Sequence, residues 1–192
     1  MNETVKLGII LLVISAVAAG LLGLSNAVTS ERIAQADKIA NDQAKQELLS
    51  EAASFVTLDD SKLNEIAGAD SNILEISEGY DASSNLVGYT VKATTSGYGG
   101  QIQFMIGIST EGHITGFKVL SHSESPGLGA NSEKSYFTDS FKGKSASGNL
   151  TSAKEPKAEN EIQALTSATI TTNAIVDGVN KVLEVYNTKL SN

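Results

Sequence analysis

The chain has 192 residues, of which 41% are apolar, and its formal net charge at pH 7 is −8. This length has room for one soluble domain and a membrane anchor, and it excludes a second large domain. The acidic balance argues against nucleic-acid binding, since an acidic surface repels phosphate backbones. The sequence holds no cysteine, which excludes disulfides, cysteine-ligated zinc and cysteine-ligated iron–sulfur clusters carried by this chain.

The first predicted element is a membrane-spanning helix. Leu7–Val28 is an uninterrupted run of 22 uncharged residues, long enough to cross a bilayer core as a helix. A cleavable secretory signal is the alternative, because Ala16-Val17-Ala18 resembles a cleavage site, but the apolar run continues beyond it. We therefore predict an uncleaved anchor over residues 1–28. Basic residues stand on both sides of this segment, so charge alone leaves its orientation open.

A connecting helix is predicted to continue from the anchor over residues 29–60. Small and apolar residues recur there at three- and four-residue spacing. The stripe that they form is narrow and rich in alanine, which indicates close packing against another element. Its members are Ile33, Ala36, Ala40, Ala44, Leu48, Ala52 and Phe55.

Three strands are predicted within a domain over residues 61–192. Apolar and polar residues alternate over Leu86–Thr95, Gln101–Ile108 and His113–Leu120, with the two-residue period of a half-buried strand. Ser109-Thr110-Glu111-Gly112 is predicted to join the second and third strands as an antiparallel hairpin.

The last predicted elements are a polar surface loop over Gly143–Asn160 and a helix that begins near Thr171. The apolar residues that this helix should bury are Ile175, Val179, Val182, Leu183 and Tyr186. Strands grouped between helices predict an α+β fold, an antiparallel sheet flanked by helices, and not a doubly wound parallel sheet.

Two glycine-rich turns could lie against a flat ligand. Ser96-Gly97-Tyr98-Gly99-Gly100 sets one aromatic residue among three glycines, and Glu124-Ser125-Pro126-Gly127-Leu128-Gly129 carries a carboxylate and a large apolar side chain. Glycine permits positive φ and a close approach of the backbone to a ligand. Taken alone, each segment is explained as well by a structural turn.

A cluster of hydroxyl side chains, Thr166-Ser167-Ala168-Thr169-Ile170-Thr171-Thr172, precedes the last helix. Threonine is a mediocre helix former, so the cluster weakens the helix start. Hydroxyls and unpaired backbone N–H groups at the positive end of a helix dipole suit a phosphate. Local chemistry alone favours simple N-capping by Ser167 or Thr169.

The sequence offers few groups for catalysis. His113 and His122 are the only histidines; no acid–base or metal-binding template accommodates them, and both are assigned to the strand or turn surface. There is no convincing nucleophile–base pair, phosphate-binding lysine loop or dinucleotide-binding glycine fingerprint. These observations argue against a hydrolase or a nucleotide-dependent dehydrogenase, and no metal ligands are predicted.

Taken in order, these features resemble one family, the G subunit of the Rnf electron-transport complex, which is related to the C subunit of the sodium-pumping NADH:quinone reductase. The resemblance rests on the anchor, the two glycine-rich turns, the aromatic pair Phe137 and Phe141, and residues 166–172. It implies a membrane-anchored flavoprotein that relays electrons between reduced ferredoxin and NAD, coupled to ion translocation. Such a protein would transfer electrons without independent catalysis.

The resemblance further implies FMN attached through a phosphoester to the last hydroxyl of a pattern close to Ser/Asp-Gly-Ala-Thr/Ser-x-x-Ser/Thr. Thr166 takes the first place in this pattern, Ala168 the third and Thr169 the fourth. Thr172 is then the implied acceptor, and Thr171 is its adjacent rival.

Ser167 stands where glycine is usual in this pattern, so its β-carbon limits positive φ while its hydroxyl offers a bond to the phosphate. The other implied contacts divide by the part of FMN that they touch. The residues flanking the isoalloxazine ring are Tyr98, Gly99, Gly127, Leu128 and Gly129. Those at its polar edge or the ribityl chain are Glu124 and Ser125, and the residue near the phosphate is Lys154.

The implied partners are the other membrane and peripheral subunits of the Rnf complex, membrane lipid, and a flavin transferase that attaches FMN from FAD. The resemblance implies that attachment takes place on the outer side of the membrane, so the N-terminus would be cytoplasmic and the flavin domain extracytoplasmic. Two alternatives stay open: the flavin subunit of a sodium-translocating NADH:quinone reductase, and a cofactor-free membrane-anchored binding module.

Overall fold

The computed structural model describes residues 2–68 and 72–191, and it begins with a long helix, α1 (Glu3–Leu48). By its contacts the chain forms two compact units, the first ending at Asn41 and the second beginning at Asp42. In the first unit the apolar side chains of α1 are exposed throughout. Among the described residues, α1 is the one helix that is long and apolar enough to cross a membrane. It therefore fits a single-pass membrane anchor.

The helix ends earlier than the predicted connecting helix over residues 29–60. After Leu48 the chain turns, and β1 (Ser54–Thr57) pairs antiparallel with β2 (Ile73–Tyr80). A second helix, α2 (Asp60–Ala67), follows, and the Asp59 side chain caps its start. The predicted helix is too long because Phe55 and Val56 are good strand formers with a sheet edge available to pair with.

The second unit is built on one antiparallel sheet in the order β1-β2-β3-β4-β5. Its remaining strands are β3 (Leu86–Ser96), β4 (Gln101–Ser109) and β5 (Ile114–Ser121). These bounds lie within one residue of the predicted strands. The predicted hairpin is confirmed, since β4 pairs antiparallel with β5 and Ile106 lies opposite Phe117.

The chain after β5 is mostly short turns. A short helix, α3 (Ser135–Thr138), carries Phe137, which packs edge-to-face on Phe141 with 5.4 Å between ring centroids. The predicted surface loop over Gly143–Asn160 is only partly a loop, because it contains β6 (Thr151–Ala153), which pairs in parallel with β7 (Glu161–Gln163). Leu150, within the same stretch, is buried, and the Asn180 side chain bonds both its N–H and its C=O.

The last helix, α4 (Thr169–Val185), lies against one face of the sheet. All five predicted core residues are buried there, with Tyr186 in the wider turn that follows the helix. Gly178 lets α4 come close to the sheet, since a β-carbon there would lie 3.0 Å from the Phe104 ring. The predicted α+β architecture is confirmed, and its core lies between the sheet and α4.

Candidate functional site

A pocket of about 380 Å³ lies where the start of α4 meets the two glycine-rich turns. Its volume is at the lower end of the range for small-molecule sites, roughly 300–1,000 Å³. The three segments are distant in sequence and meet only in the folded chain. The lining residues are Tyr98, Glu124, Ser125, Leu128, Gly129, Ser167, Ala168, Thr169, Ile170 and Thr171.

The start of α4 has no side-chain cap. Ala168 is the N-cap residue, and no side chain accepts a hydrogen bond from the backbone N–H groups of the first turn, so the N-capping by Ser167 or Thr169 that local chemistry favours is wrong. Among the described residues nothing bonds the N–H groups of residues 169–171. Such a free helix start carries partial positive charge and is well suited to an anion.

Ser167 adopts the left-handed backbone conformation, with φ of +59°. A residue with a β-carbon rarely takes this conformation, and it costs about 1–2 kcal/mol. The pattern implied by the sequence resemblance has glycine at this position, and the observed φ is one that glycine adopts without strain. Serine therefore fills the position under backbone strain, in the wall of the pocket.

The hydroxyls of the cluster point in different directions. Thr172 is 1% exposed, and its Oγ1 accepts from the Leu165 N–H (3.1 Å) and donates to the Ala168 C=O (3.0 Å). Thr171 is also buried, and its Oγ1 donates to Glu124 Oε2 at 2.7 Å. Thr169 is exposed and lines the pocket. Thr172 lies almost a full turn further along α4, where the domain covers the helix, whereas Thr169 stands at its open end.

Glu124 is the buried carboxylate of the site, with 6% of its surface exposed. Its Oε1 accepts from the Gly99 N–H at 2.9 Å. The Glu124 N–H donates to His122 Nδ1 at 3.1 Å, and His122 Nε2 lies 3.2 Å from Glu133 Oε1. His122 is thus largely buried and tied into the turn, contrary to its predicted surface position.

The structure brings together nine of the predicted cofactor residues and leaves five outside the pocket lining. Lys154 is exposed, and its backbone carbonyl accepts from the Gln163 side chain. Gly127 has φ of +77° and serves the turn. The other three outside the lining are Gly99, Thr166 and Thr172. Ile170 lines the pocket and was missed; the only signal for it was an apolar residue, 57% exposed, inside a hydroxyl-rich helix start.

The second unit matches a known family. A family model described as the FMN-binding domain matches residues 97–184, which include every segment of the pocket. The G subunit of the Na(+)-translocating ferredoxin:NAD(+) oxidoreductase complex of Acetobacterium woodii is 44% identical over 188 residues, covering 94% of this chain and 90% of that protein. This chain belongs to the G subunit family of ion-translocating oxidoreductase complexes.

Further comparisons agree with membership of the G subunit family. The G subunit of the ion-translocating oxidoreductase complex of Methanosarcina acetivorans is 33% identical, covering 95% of this chain and 94% of that protein. Among solved structures, the C subunit of the Na(+)-translocating NADH-quinone reductase from Parabacteroides distasonis aligns with a TM-score of 0.60 and 18% identity. That alignment covers 84% of this chain and 97% of the solved chain, and it shows a shared fold.

The pocket residues fit FMN as the cofactor of a G subunit. Tyr98 and Leu128 are exposed aromatic and apolar surfaces, 71% and 44% accessible, of the kind that a flat ring covers. The uncapped start of α4 offers free N–H groups to a phosphate. Ring and phosphate groups therefore both find matching chemistry within one pocket.

Proposed function

We propose that this chain is the FMN-carrying G subunit of an ion-translocating ferredoxin:NAD oxidoreductase complex and relays electrons within it. The observation that carries the proposal is the uncapped helix start beside an exposed aromatic residue, in a chain 44% identical to a known G subunit. FMN, when bound, supplies the electron-transfer chemistry, while the protein holds and orients it.

Different residues of the chain would bind different parts of FMN. The N–H groups of residues 169–171 would hold the phosphate, and Tyr98 and Leu128 would flank the ring and exclude water from it. Ser125, also in the lining, would bond to the ribityl chain. Lys154 has no support from its position and is not part of the proposed site.

We further propose that the covalent acceptor is Thr169 and not Thr172. A transferase must reach the acceptor oxygen, and the hydroxyl of Thr172 is buried with both of its hydrogen bonds made inside the protein. Thr171 is buried and bonded to Glu124. Thr169 is exposed at the pocket, next to the free N–H groups.

The attachment is a phosphoryl transfer from FAD. The Thr169 Oγ1 would form a bond to the FMN phosphorus as the phosphoanhydride bond of FAD breaks. AMP leaves, the hydroxyl proton is released, and no oxidant is consumed. The free N–H groups of the α4 start would stabilise the negative charge on the phosphate during transfer.

The remaining expectations complete the proposal. The apolar part of α1 within residues 1–28 would be retained as the anchor, with the N-terminus cytoplasmic and the flavin domain, residues 61–192, extracytoplasmic. A flavin transferase would act on the folded domain. The other Rnf subunits and membrane lipid would be its lasting partners.

The acceptor is tested by coexpressing the full-length chain with a flavin transferase and measuring intact mass and in-gel flavin fluorescence after denaturation. We expect one FMN on the wild type, none on Thr169→Val, and retention on the matched control Thr169→Ser, which keeps the hydroxyl. Thr172→Val should carry covalent FMN like the wild type, and Thr171→Val should still carry some, because neither change removes the acceptor hydroxyl. Loss in Thr172→Val with retention in Thr169→Val would overturn the assignment.

The alternatives have separate tests. A cofactor-free binding module would give a colourless protein when purified from its native cells, whereas the proposed flavoprotein shows the visible absorption bands of flavin. A component of the quinone-reducing pump would copurify with that complex. The 18% identity to the solved C subunit supports only a common fold, so the Rnf complex remains the proposed setting.

A further inference from the structure

We infer that Glu124 is a positioning residue that sets the width of the pocket, and that it does not bind the flavin itself. The contacts of Glu124 stand on their own, while their consequence for flavin loading rests on the proposed function. The sequence resemblance instead assigns this carboxylate to the polar edge of the ring or to the ribityl chain.

Both oxygens of the Glu124 carboxylate are engaged by the protein. Oε1 accepts from the Gly99 N–H in the turn between β3 and β4, and Oε2 accepts from Thr171 in the first turn of α4. These partners lie 25 and 47 residues away in sequence. One side chain thus links two walls of the pocket, and hydrogen bonds to a carboxylate are stronger than neutral ones.

The neighbouring glycines make room for this carboxylate. A β-carbon at Gly97 would collide with Glu124 Oε1, and one at Gly129 would collide with Oε2 and lie 2.7 Å from Thr171 Oγ1. A β-carbon at Gly99 would collide with the carbonyl oxygen of Ser123. These three glycines are therefore explained by packing around Glu124 and its backbone, without any ligand.

The backbone of Glu124 is also held in place by a hydrogen bond. Its N–H donates to His122, and His122 contacts Glu133. A carboxylate held at both oxygens and at its own N–H has little freedom to turn towards a ligand. It holds Tyr98, next to Gly99, at a set distance from Thr169, two residues before Thr171.

Two substitutions of Glu124 distinguish the effect of its side-chain length from the effect of its negative charge. Glu124→Gln keeps the length of the side chain and can serve both partners, because its amide oxygen accepts from Gly99 and its amide donates to the Thr171 oxygen. Glu124→Asp keeps the charge but is one methylene too short to span both walls. Glu111→Gln, on the exposed β4–β5 turn, is the control for losing a negative charge elsewhere.

The first measurement needs no flavin: hydrogen exchange of the Gly99 amide in the full-length protein in detergent. We expect wild-type protection in Glu124→Gln and Glu111→Gln, and a loss of about tenfold in Glu124→Asp, as expected for one lost hydrogen bond. Should Glu124→Asp fail to fold, Thr171→Val takes its place, because it removes the hydrogen bond between Thr171 and Glu124. Thr171→Ser keeps the hydroxyl and should restore that bond.

The second measurement is the fraction of chains carrying covalent FMN after coexpression with a flavin transferase. Glu124→Gln should load like the wild type, and Glu124→Asp and Thr171→Val should load several-fold less, with lower fluorescence anisotropy of the bound flavin. Normal loading in Glu124→Asp with poor loading in Glu124→Gln would mean that the charge acts on the flavin, and would overturn the inference. So would equal loss of Gly99 protection in both Glu124 variants.

The two proposals fail differently. A wild-type chain that never takes up FMN, but shows the expected Gly99 exchange pattern, would refute the proposed function and leave the positioning role of Glu124 standing. A wild type that loads normally while Gly99 is unprotected would refute the positioning role alone.

Discussion

The two faces of the central sheet differ in composition. The face towards α4 is apolar, with Ile76, Val91 and Phe104 fully buried against the helix. The other face meets the last turns of α1 and is mixed. Met105 packs there with Ala44 and Leu48, and the buried Lys45 places its Nζ 2.5 Å from Glu75 Oε1. Lys45 also donates to a threonine hydroxyl of β1, 3.1 Å away, which is bonded in turn to a serine of β2.

The two faces should therefore differ in what they contribute: one mainly to the stability of the domain, the other to the position of the end of α1 on the sheet. Apolar contacts are non-directional and contribute in proportion to the area that they bury. A buried ion pair contributes little net stability because both groups lose hydration, yet it tolerates few alternative arrangements. The α4 face should therefore contribute most of the stability of the domain, while the Lys45–Glu75 pair on the other face restricts how residues 42–48 lie on the sheet.

The largest effect should come from the apolar face. Phe104→Ala removes a fully buried ring between the sheet and α4, and we expect it to lower the free energy of unfolding by about 3–5 kcal/mol. Denaturant unfolding of the detergent-solubilised chain, followed by tyrosine fluorescence, measures this. Phe104→Leu, which keeps most of the volume, should cost clearly less. Equal losses would mean that packing does not dominate this face.

A smaller effect is expected from the ion pair on the face towards α1. Lys45→Met removes the cation that lies 2.5 Å from Glu75 and should lower the free energy of unfolding by about 1–3 kcal/mol, since Glu75 keeps partial contact with water. Lys45→Met combined with Glu75→Gln should recover part of this loss. The exposed pair Lys118–Glu47 is the control, because Lys118→Met should cost less than about 1 kcal/mol. No recovery in the double variant would contradict a charge-pair origin.

The smallest effect concerns alkaline pH and returns to the apolar face. Burial raises the pKa of Tyr186, whose hydroxyl donates to the Ser109 carbonyl at 3.0 Å. Because the pKa of Tyr186 is higher in the folded protein than in the unfolded chain, its contribution to the free energy of unfolding is complete below the ordinary pKa of 10.0. That contribution is lost as the pH rises past this value. Tyr186→Phe should thus cost about 1 kcal/mol at pH 7 and flatten the alkaline loss measured by unfolding from pH 8 upwards.

The control for this pH dependence is Tyr98→Phe, which removes a hydroxyl from a residue that is 71% exposed at the pocket. Its unfolding curve should keep the wild-type alkaline slope. If Tyr186→Phe also kept that slope, the alkaline sensitivity would arise from another group, such as Tyr89, whose pKa is also raised by burial.

Local patterns predicted three of the five strands of the antiparallel sheet, but not β1, β2 or the end of α1. The alternation in β3, β4 and β5 is a property of each segment, so their bounds could be read from the sequence. Phe55 suits a helical stripe and a strand equally. Its strand pairing with Gly79 depends on a partner 24 residues away, which no local period reports.

The segments of the site were predictable from the order of the motifs, but their internal geometry was not. The resemblance marked Ser167 as standing where glycine is usual, and only the structure shows that this residue has φ of +59°, a conformation that glycine favours. The link from Glu124 to Gly99 and Thr171 had no sequence signal, because it joins three segments that meet only after folding.

The sequence by itself determined an apolar helix, an antiparallel sheet, a final helix and a hydroxyl cluster before that helix. These follow from period, composition and propensity, which are carried by neighbouring residues. Only the tertiary structure decided which hydroxyl is available. Packing α4 on the sheet turns Thr171 and Thr172 inward and leaves Thr169 exposed at the pocket, because the position of the helix start fixes which residues face the core.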